Sequence, residues 1–221
     1  MKKPVLLIIL VLLMDQVLKF WVKTNMFLGQ EFNIFGDWFI IHFTENYGMA
    51  FGLEFAGEYG KLFLTFFRLA AISGLSWYLY TLFKTKAHIG LQYSMALILA
   101  GAAGNLIDSI FYGILFTDSN YRIAEFLPEE GVYASLFHGR VVDMFYFPII
   151  KGYFPSWFPI WSNEYFIFFR PVFNIADASI TVGVIIILLF QKKFFKTTEQ
   201  EIEAETKLHH DADSSSHENK N

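Results

Sequence analysis

Four stretches of apolar residues constrain this chain more than any other feature, because each approaches the roughly 20 residues needed to cross the hydrocarbon core of a bilayer. They run from about Pro4 to Thr24, Leu62 to Phe83, Leu91 to Tyr112 and Phe166 to Phe190. In lipid every backbone N–H and C=O must be satisfied inside the segment, so isolated runs of this length fold as helices. The expected fold class is an all-α membrane protein with four transmembrane helices. The first run opens like a signal peptide, with Lys2 and Lys3 ahead of Val5 to Met14. No small-residue cleavage site follows, and after Asp15 and Lys19 the apolar run resumes at Phe20, so it reads as an uncleaved span. Pro171 falls near the start of the fourth run, where a missing N–H costs least.

Basic residues orient the bundle. Lys2 and Lys3 precede the first span, Lys84 and Lys86 separate the second from the third, and Lys192, Lys193 and Lys196 follow the fourth. Four crossings place all three clusters on one side, which is then the cytoplasm. Both termini are expected there, with the two long segments outside. The first outer segment, about Asn25 to Gly60, contains Trp38 to Thr44, which reads as a strand and predicts a small β platform in that loop. The second, about Gly113 to Tyr165, carries Trp157, Trp161 and Tyr165, which fit an aromatic belt at the headgroups. Residues 1–197 form one four-helix domain, and the polar residues 198–221 read as a disordered cytoplasmic tail.

Composition removes several function classes. Only 17% of residues are charged, against roughly 25% in soluble domains. The absence of cysteine excludes disulfides, thiolate nucleophiles, zinc–thiolate sites and iron–sulfur clusters. No basic face supports nucleic-acid binding. The sequence calls for no cofactor and no metal, and demands nothing beyond a monomer.

A carboxylate at bilayer depth is expensive unless paired, hydrated or neutralised, so each one marks a candidate function. Four qualify: Asp15, Asp108 and Asp177 in or beside spans, and Asp143 in a strongly apolar outer segment. All fall toward the outer side and are expected to converge. Asn174 and Asp177 are three apart and share a helical face. From spacing alone they read either as a packing pair or as part of a catalytic site. Asn105 and Asp108 repeat the spacing, after Gly101, Ala102, Ala103 and Gly104, small residues that permit close helix contact. Asp15 and Lys19 are spaced for an intrahelical ion pair. Arg68 needs an anionic partner, and Asp15 is a candidate. Gly48 and Gly52 allow tight turns or close approach to a peptide, and Asn46 can both donate to and accept from one, but from these residues alone a plain turn between strands is the better reading.

Two aspartates brought together would share one proton, because like charges a few ångströms apart cannot both ionise cheaply. The ionised member can activate water while the protonated member polarises a scissile carbonyl and later protonates the leaving amine. Two other readings compete. A small proton-coupled transporter would use buried Asp residues as a relay, and an assembly protein would use Asp and Asn only as interhelical glue.

Five motifs resemble, in order, those of the lipoprotein signal peptidases (signal peptidase II). They are Asp15-Gln16 with Lys19, Asn46-Tyr-Gly-Met-Ala-Phe-Gly52, Gly104-Asn-Leu-Ile-Asp108, Val141-Val-Asp143 and Phe173-Asn-Ile-Ala-Asp177. The resemblance implies an intramembrane aspartic endopeptidase of the bacterial cytoplasmic (inner) membrane, acting near its extracytoplasmic face. It further implies a dyad of Asp143 and Asp177, with Asn46, Gly48, Asn174, Asn105, Asp108, Asp15 and Lys19 binding substrate or supporting the site. The implied substrate is a prolipoprotein bearing a diacylglyceryl group on its lipobox cysteine, cut just before that cysteine beside membrane lipid. Globomycin-type cyclic peptides are the implied inhibitors. Two departures stand out. Ser109 occupies a position where the family usually has arginine, and Arg140 is the expected substitute cation. The outer segments before Gly139 and between Asp143 and Asp177 are long, and imply a wider lid or a partner surface.

Overall fold

The computed structural model describes residues 2–46 and 57–195. Its four long helices are α1 (Lys2–Asn25), α2 (Gly57–Lys84), α3 (Ile89–Leu115) and α4 (Ile175–Phe195), all long and apolar enough to cross a membrane. α3 is the central one. Half of its span is buried, against 17% or less in the others. The outward faces remain apolar, with Leu13, Val17, Phe63, Phe67, Trp77, Leu188 and Leu189 each more than half exposed. A continuous surface of this kind suits lipid rather than water.

α4 lies against α3 through missing side chains. A Cβ at Gly101 would come 2.2 Å from the Ala176 carbonyl oxygen, and one at Gly183 would come 2.7 Å from that of Ser94. Ser179 Oγ donates to the Leu97 carbonyl at 2.7 Å along the same contact. The small residues of the third span thus permit the close approach expected of them.

Above the helices the described residues form six strands, all paired antiparallel: β1 (Glu31–Phe35), β2 (Phe39–Asn46), β3 (Val141–Tyr146), β4 (Ile150–Tyr153), β5 (Tyr165–Phe168) and β6 (Val172–Phe173). One sheet has the order β1-β2-β3-β6, and β4 and β5 form a separate ribbon. The strand read at Trp38 to Thr44 is β2. The platform is not confined to the first outer segment, since β3 comes from the second and β6 from the start of the apolar run read as the fourth span. The pleat sends Val142 and Met144 into a cluster with Val22, Met26, Phe43, Tyr112 and Phe116. That cluster seats the sheet on the ends of α1 and α3, and Asp143 alternates to the opposite side of β3.

The fourth span starts later than its apolar run suggests. Phe166 to Phe168 pair with β4, Val172 and Phe173 pair with β3, and the helix begins only at Ile175. An apolar run with aromatic and β-branched residues satisfies strand and helix equally. Pro171 therefore precedes the helix by four positions instead of entering it. The long stretch between Asp143 and Asp177 is accounted for by the β4–β5 ribbon, which leaves Tyr153, Trp157 and Ile160 exposed. The tail 198–221 lies outside the described residues.

Candidate active site

The start of α4 organises the site. The Asp177 N–H donates to Asn174 Oδ1 at 2.8 Å, and the Asn174 N–H donates to Asp177 Oδ2 at 3.4 Å. This reciprocal arrangement is a capping box, with Asn174 as N-cap and Asp177 three residues on. The shared helical face read from their spacing is replaced by a closer relation, because Asn174 precedes the helix.

Asn174 also touches the other aspartate. Its Nδ2 lies 2.7 Å from Asp143 Oδ1, 3.0 Å from Asn105 Oδ1 and 3.1 Å from the Val142 carbonyl oxygen. Asn46 Nδ2 donates to the second oxygen of Asp143. On the other side, Asn105 Nδ2 donates to Asp177 Oδ1 at 2.8 Å. One amide side chain therefore joins Asp143 of β3 to Asp177 of α4. Asp143 and Asn174 are buried, whereas Asp177 is partly exposed. Burial, followed by the charge of Asp177, lifts the Asp143 carboxyl to about 8, against opposition from Lys19 and the Asn46 and Asn174 amides. At neutral pH Asp143 accordingly holds a proton beside Asp177.

A second layer holds both aspartates through their backbones. Lys19 Nζ pairs with Asp15 Oδ2 and Asp108 Oδ2 at 2.9 Å each and donates to Asn105 Oδ1 at 2.8 Å. Three donors meet three acceptors, so this buried ammonium is satisfied. The last contact also orients the Asn105 amide, turning its NH2 to Asp177. Asp15 Oδ1 accepts the Ala176 N–H at 2.9 Å, one residue before Asp177. Asp108 Oδ2 accepts the Val142 N–H at 3.2 Å, one residue before Asp143. Each supporting carboxylate thus grips the strand or helix that carries one member of the pair. The intrahelical pair expected of Asp15 and Lys19 is present and forms part of this larger cluster.

Gln16, quoted in the first motif but given no role there, closes the layer. Its Nε2 reaches Asp108 Oδ1 at 2.9 Å, Asp15 Oδ2 at 3.1 Å and the Gly104 carbonyl at 3.2 Å, and its Oε1 accepts Tyr112 OH at 3.3 Å. Gly104 makes this possible, since a Cβ there would lie 2.8 Å from Asp15 Oδ2.

Sequence reasoning missed a further buried ionic group. Lys23, fully buried, pairs with Glu45 and donates to Ser119 Oγ at 2.9 Å, with Nζ 4.8 Å from the Tyr133 ring centroid. Arg140 Nη1 reaches Glu45 Oε2 and Asp118 Oδ2 at 3.2 Å each. Glu45 immediately precedes Asn46, so this group anchors the strand end that delivers Asn46 to Asp143. The signal was present: Asp15, Lys19 and Lys23 recur every fourth residue in an otherwise apolar span, a polar stripe on one helical face.

The guanidinium that meets Ser109 is that of Arg68, whose Nη1 donates to Ser109 Oγ at 3.3 Å. Gly48 and Gly52 fall in 47–56, outside the described residues. Among the described residues no group of three or more His, Asp or Glu is arranged to hold a metal ion.

A family model described as signal peptidase (SPase) II matches residues 7–193. A lipoprotein signal peptidase of Porphyromonas gingivalis is 50% identical over 184 residues, covering 83% of this chain and 80% of that one. One from Amoebophilus asiaticus is 39% identical over 199 residues, covering 89% and 80%. Among solved structures, a bacterial membrane enzyme determined in meso at 1.9 Å superposes with a TM-score of 0.56 at 25% identity, covering 86% of this chain and 92% of that one.

Proposed function

Because the chain belongs to the signal peptidase II family, we propose that it removes the signal peptide from diacylglyceryl-modified prolipoproteins, using Asp143 and Asp177 as its catalytic pair. It is an aspartic endopeptidase of lipoprotein processing. The observation that carries the assignment of the pair is the placement of Asn174, hydrogen-bonded at once to Asp143 and within the cap of Asp177.

The chemistry follows from the unequal surroundings of the two acids. Asp177, partly exposed, takes a proton from a water molecule as its oxygen attacks the scissile carbonyl carbon. Asp143, protonated at neutral pH, gives its proton to the carbonyl oxygen as the tetrahedral intermediate forms. Collapse breaks the C–N bond as one hydroxyl of the intermediate returns its proton to Asp143 and re-forms the carbonyl, and the proton gained by Asp177 passes to the leaving amine, which is that of the lipidated cysteine. The Asn46 and Asn174 amides hold Asp143, and substrate backbone docks against the same two side chains. The diacylglyceryl chains lie in lipid along the apolar helix faces, and the exposed aromatics of the β4–β5 ribbon rest at the headgroups. The basic clusters flanking the spans support a topology with both termini in the cytoplasm and the site near the outer face of the inner membrane. A globomycin-type cyclic peptide competes for the same groove, and one chain suffices. The transporter alternative has no support, since the four acids form one connected cluster.

Purified enzyme in detergent, given a diacylglyceryl-modified prolipoprotein, is expected to cut just before the modified cysteine. Asp143→Asn and Asp177→Asn should each lower turnover by about 10²–10⁴-fold or more. Wild-type turnover in either variant, or equal cleavage of the unmodified precursor, would refute the assignment.

A further inference from the structure

The outer segment 116–140 has no task in the chemistry above, yet it is tied to the end of β2. The Tyr133 N–H donates to the Phe116 carbonyl at 3.1 Å, which brings its two arms together, and the Ser119 carbonyl accepts the Leu28 N–H at 2.9 Å. Both arms meet at Glu45. From the first, the fully buried Ser119 Oγ accepts from Lys23 Nζ at 2.9 Å and donates to Glu45 Oε1 at 3.5 Å, while Asp118 Oδ2 pairs with Arg140 Nη1 at 3.2 Å. From the second, Tyr133 OH accepts the Arg140 N–H at 2.8 Å, and its ring centroid lies 4.8 Å from Lys23 Nζ and 5.0 Å from Arg140 Cζ. The two cations end on opposite oxygens of the buried Glu45 carboxylate, Lys23 on Oε1 and Arg140 on Oε2 at 3.2 Å. In the register of β2 and β3, Glu45 stands opposite Val142 and Asn46 opposite Val141. Successive side chains of a strand point to opposite faces. A grip on Glu45 at one face therefore sets the direction of Asn46 at the other, where its amide donates to Asp143.

We propose that Glu45 is a positioning residue for the protease and that the segment 116–140 is the brace that holds it, keeping the Asn46 amide on Asp143 and on the substrate backbone. This rests on the protease reading above. The charged groups facing Glu45 are Lys23 from α1, Lys61 from α2, and Arg140 and Asp118 from the outer segment; those facing Asp143 are Asp177 from α4 and Lys19 from α1. The bond from Asn46 favours the ionised form of Asp143, so a displaced amide leaves that carboxyl harder to ionise.

The test loosens the brace without changing any charge. Ser119→Ala/Tyr133→Phe removes the hydroxyl that accepts from Lys23 and the one that accepts the Arg140 N–H. Tyr121→Asn, at a fully exposed side chain of the same segment, is the control. Cleavage of the modified prolipoprotein is followed across pH beside wild type, Asn46→Ala, Asp143→Asn and Asp177→Asn. The double variant should lose about tenfold in kcat/KM at pH 7, since a small displacement of a group at the reacting centre is costly. Its alkaline limb should move up by about half a pH unit, and that of Asn46→Ala by about one. In an Asn46→Ala background the same two substitutions should cost less than about threefold, because the group that they position is gone. Tyr121→Asn should match wild type. A loss of threefold or more in the Asn46→Ala background, or a double variant within threefold of wild type, overturns the proposal. If Asn46→Ala cleaves too slowly to compare, the limb decides: an upward shift in the double variant supports the brace and an unmoved limb overturns it, because a charge-neutral change reaches Asp143 through its hydrogen bonds. If the double variant does not fold, Tyr133→Phe alone is read by the same criteria. Cleavage that persists in both aspartate variants is a failure of the protease assignment, recognisable apart from these outcomes.

Discussion

Substituting Gly101 by alanine adds one methyl group at the crossing of α3 and α4. That Cβ would meet the Ala176 carbonyl oxygen at 2.2 Å and Ile180 Cγ1 at 2.7 Å. Ordinary contact begins at 3.4 Å, and the first of these atoms belongs to backbone, so no rotamer change relieves the overlap. The start of α4 must retreat by about 1 Å. Such a move stretches the bond from the Ala176 N–H to Asp15, now 2.9 Å, and that from Asn105 to Asp177, now 2.8 Å, beyond hydrogen-bonding range. Overpacking of this kind costs about 1–3 kcal/mol of stability. A displacement of ~1 Å at a reacting group costs on the order of 10²-fold in rate. Gly101→Ala should therefore remain folded in detergent, with a lowered thermal midpoint, and lose about 10²-fold in kcat on the modified prolipoprotein. Gly74→Ala is the control. Nothing lies within 4 Å of a Cβ there, and alanine in mid-helix should stabilise by roughly 0.5–1 kcal/mol with activity unchanged. A Gly101→Ala enzyme within threefold of wild type would refute the view that backbone contact between α3 and α4 sets the position of Asp177.

Three further outcomes can be measured with this protein and its variants. In the proposed mechanism Asp143 acts protonated, and its carboxyl is raised to about 8, so kcat/KM should fall as pH rises through that value. The pair titrates jointly, and the limb belongs to both acids. Between the ordinary carboxylate range and pH 8 the folded chain keeps a proton that the unfolded chain releases, so stability falls with rising pH across that window. Asp143→Asn removes this slope, and its thermal midpoint should exceed that of wild type by more at pH 8 than at pH 5; a constant difference would contradict the raised ionisation. Glu45→Gln leaves Lys23 buried with its carboxylate partner gone, which should destabilise by about 3–5 kcal/mol. Denaturation in detergent would show it, and an unchanged midpoint would mean that Arg140, Asp118 and Ser119 suffice without Glu45.

Much of this protein is written locally. Span length follows from bilayer thickness, so four helices were legible from apolar runs alone, with ends correct to a few residues for three of them. Acids and amides three or four apart marked Asp15 with Lys19, Asn105 with Asp108 and Asn174 with Asp177, because helix geometry makes such neighbours meet whatever surrounds them. Periodicity gave no such guidance at Phe166 to Phe173, where aromatic and β-branched residues suit either state. There the availability of a partner strand decided, and β4 and β3 supplied one. Long-range pairings were equally invisible. That β2 and β3 align with Thr44 opposite Asp143 depends on register across nearly one hundred residues. That Arg68 meets Ser109, and that Asp15 and Asp108 hold the backbones ahead of Asp177 and Asp143, depends on which helix faces lie together. Such choices are made by packing, through the absent side chains of Gly101 and Gly104 and the buried cluster beneath the sheet, and packing is a property of the folded whole.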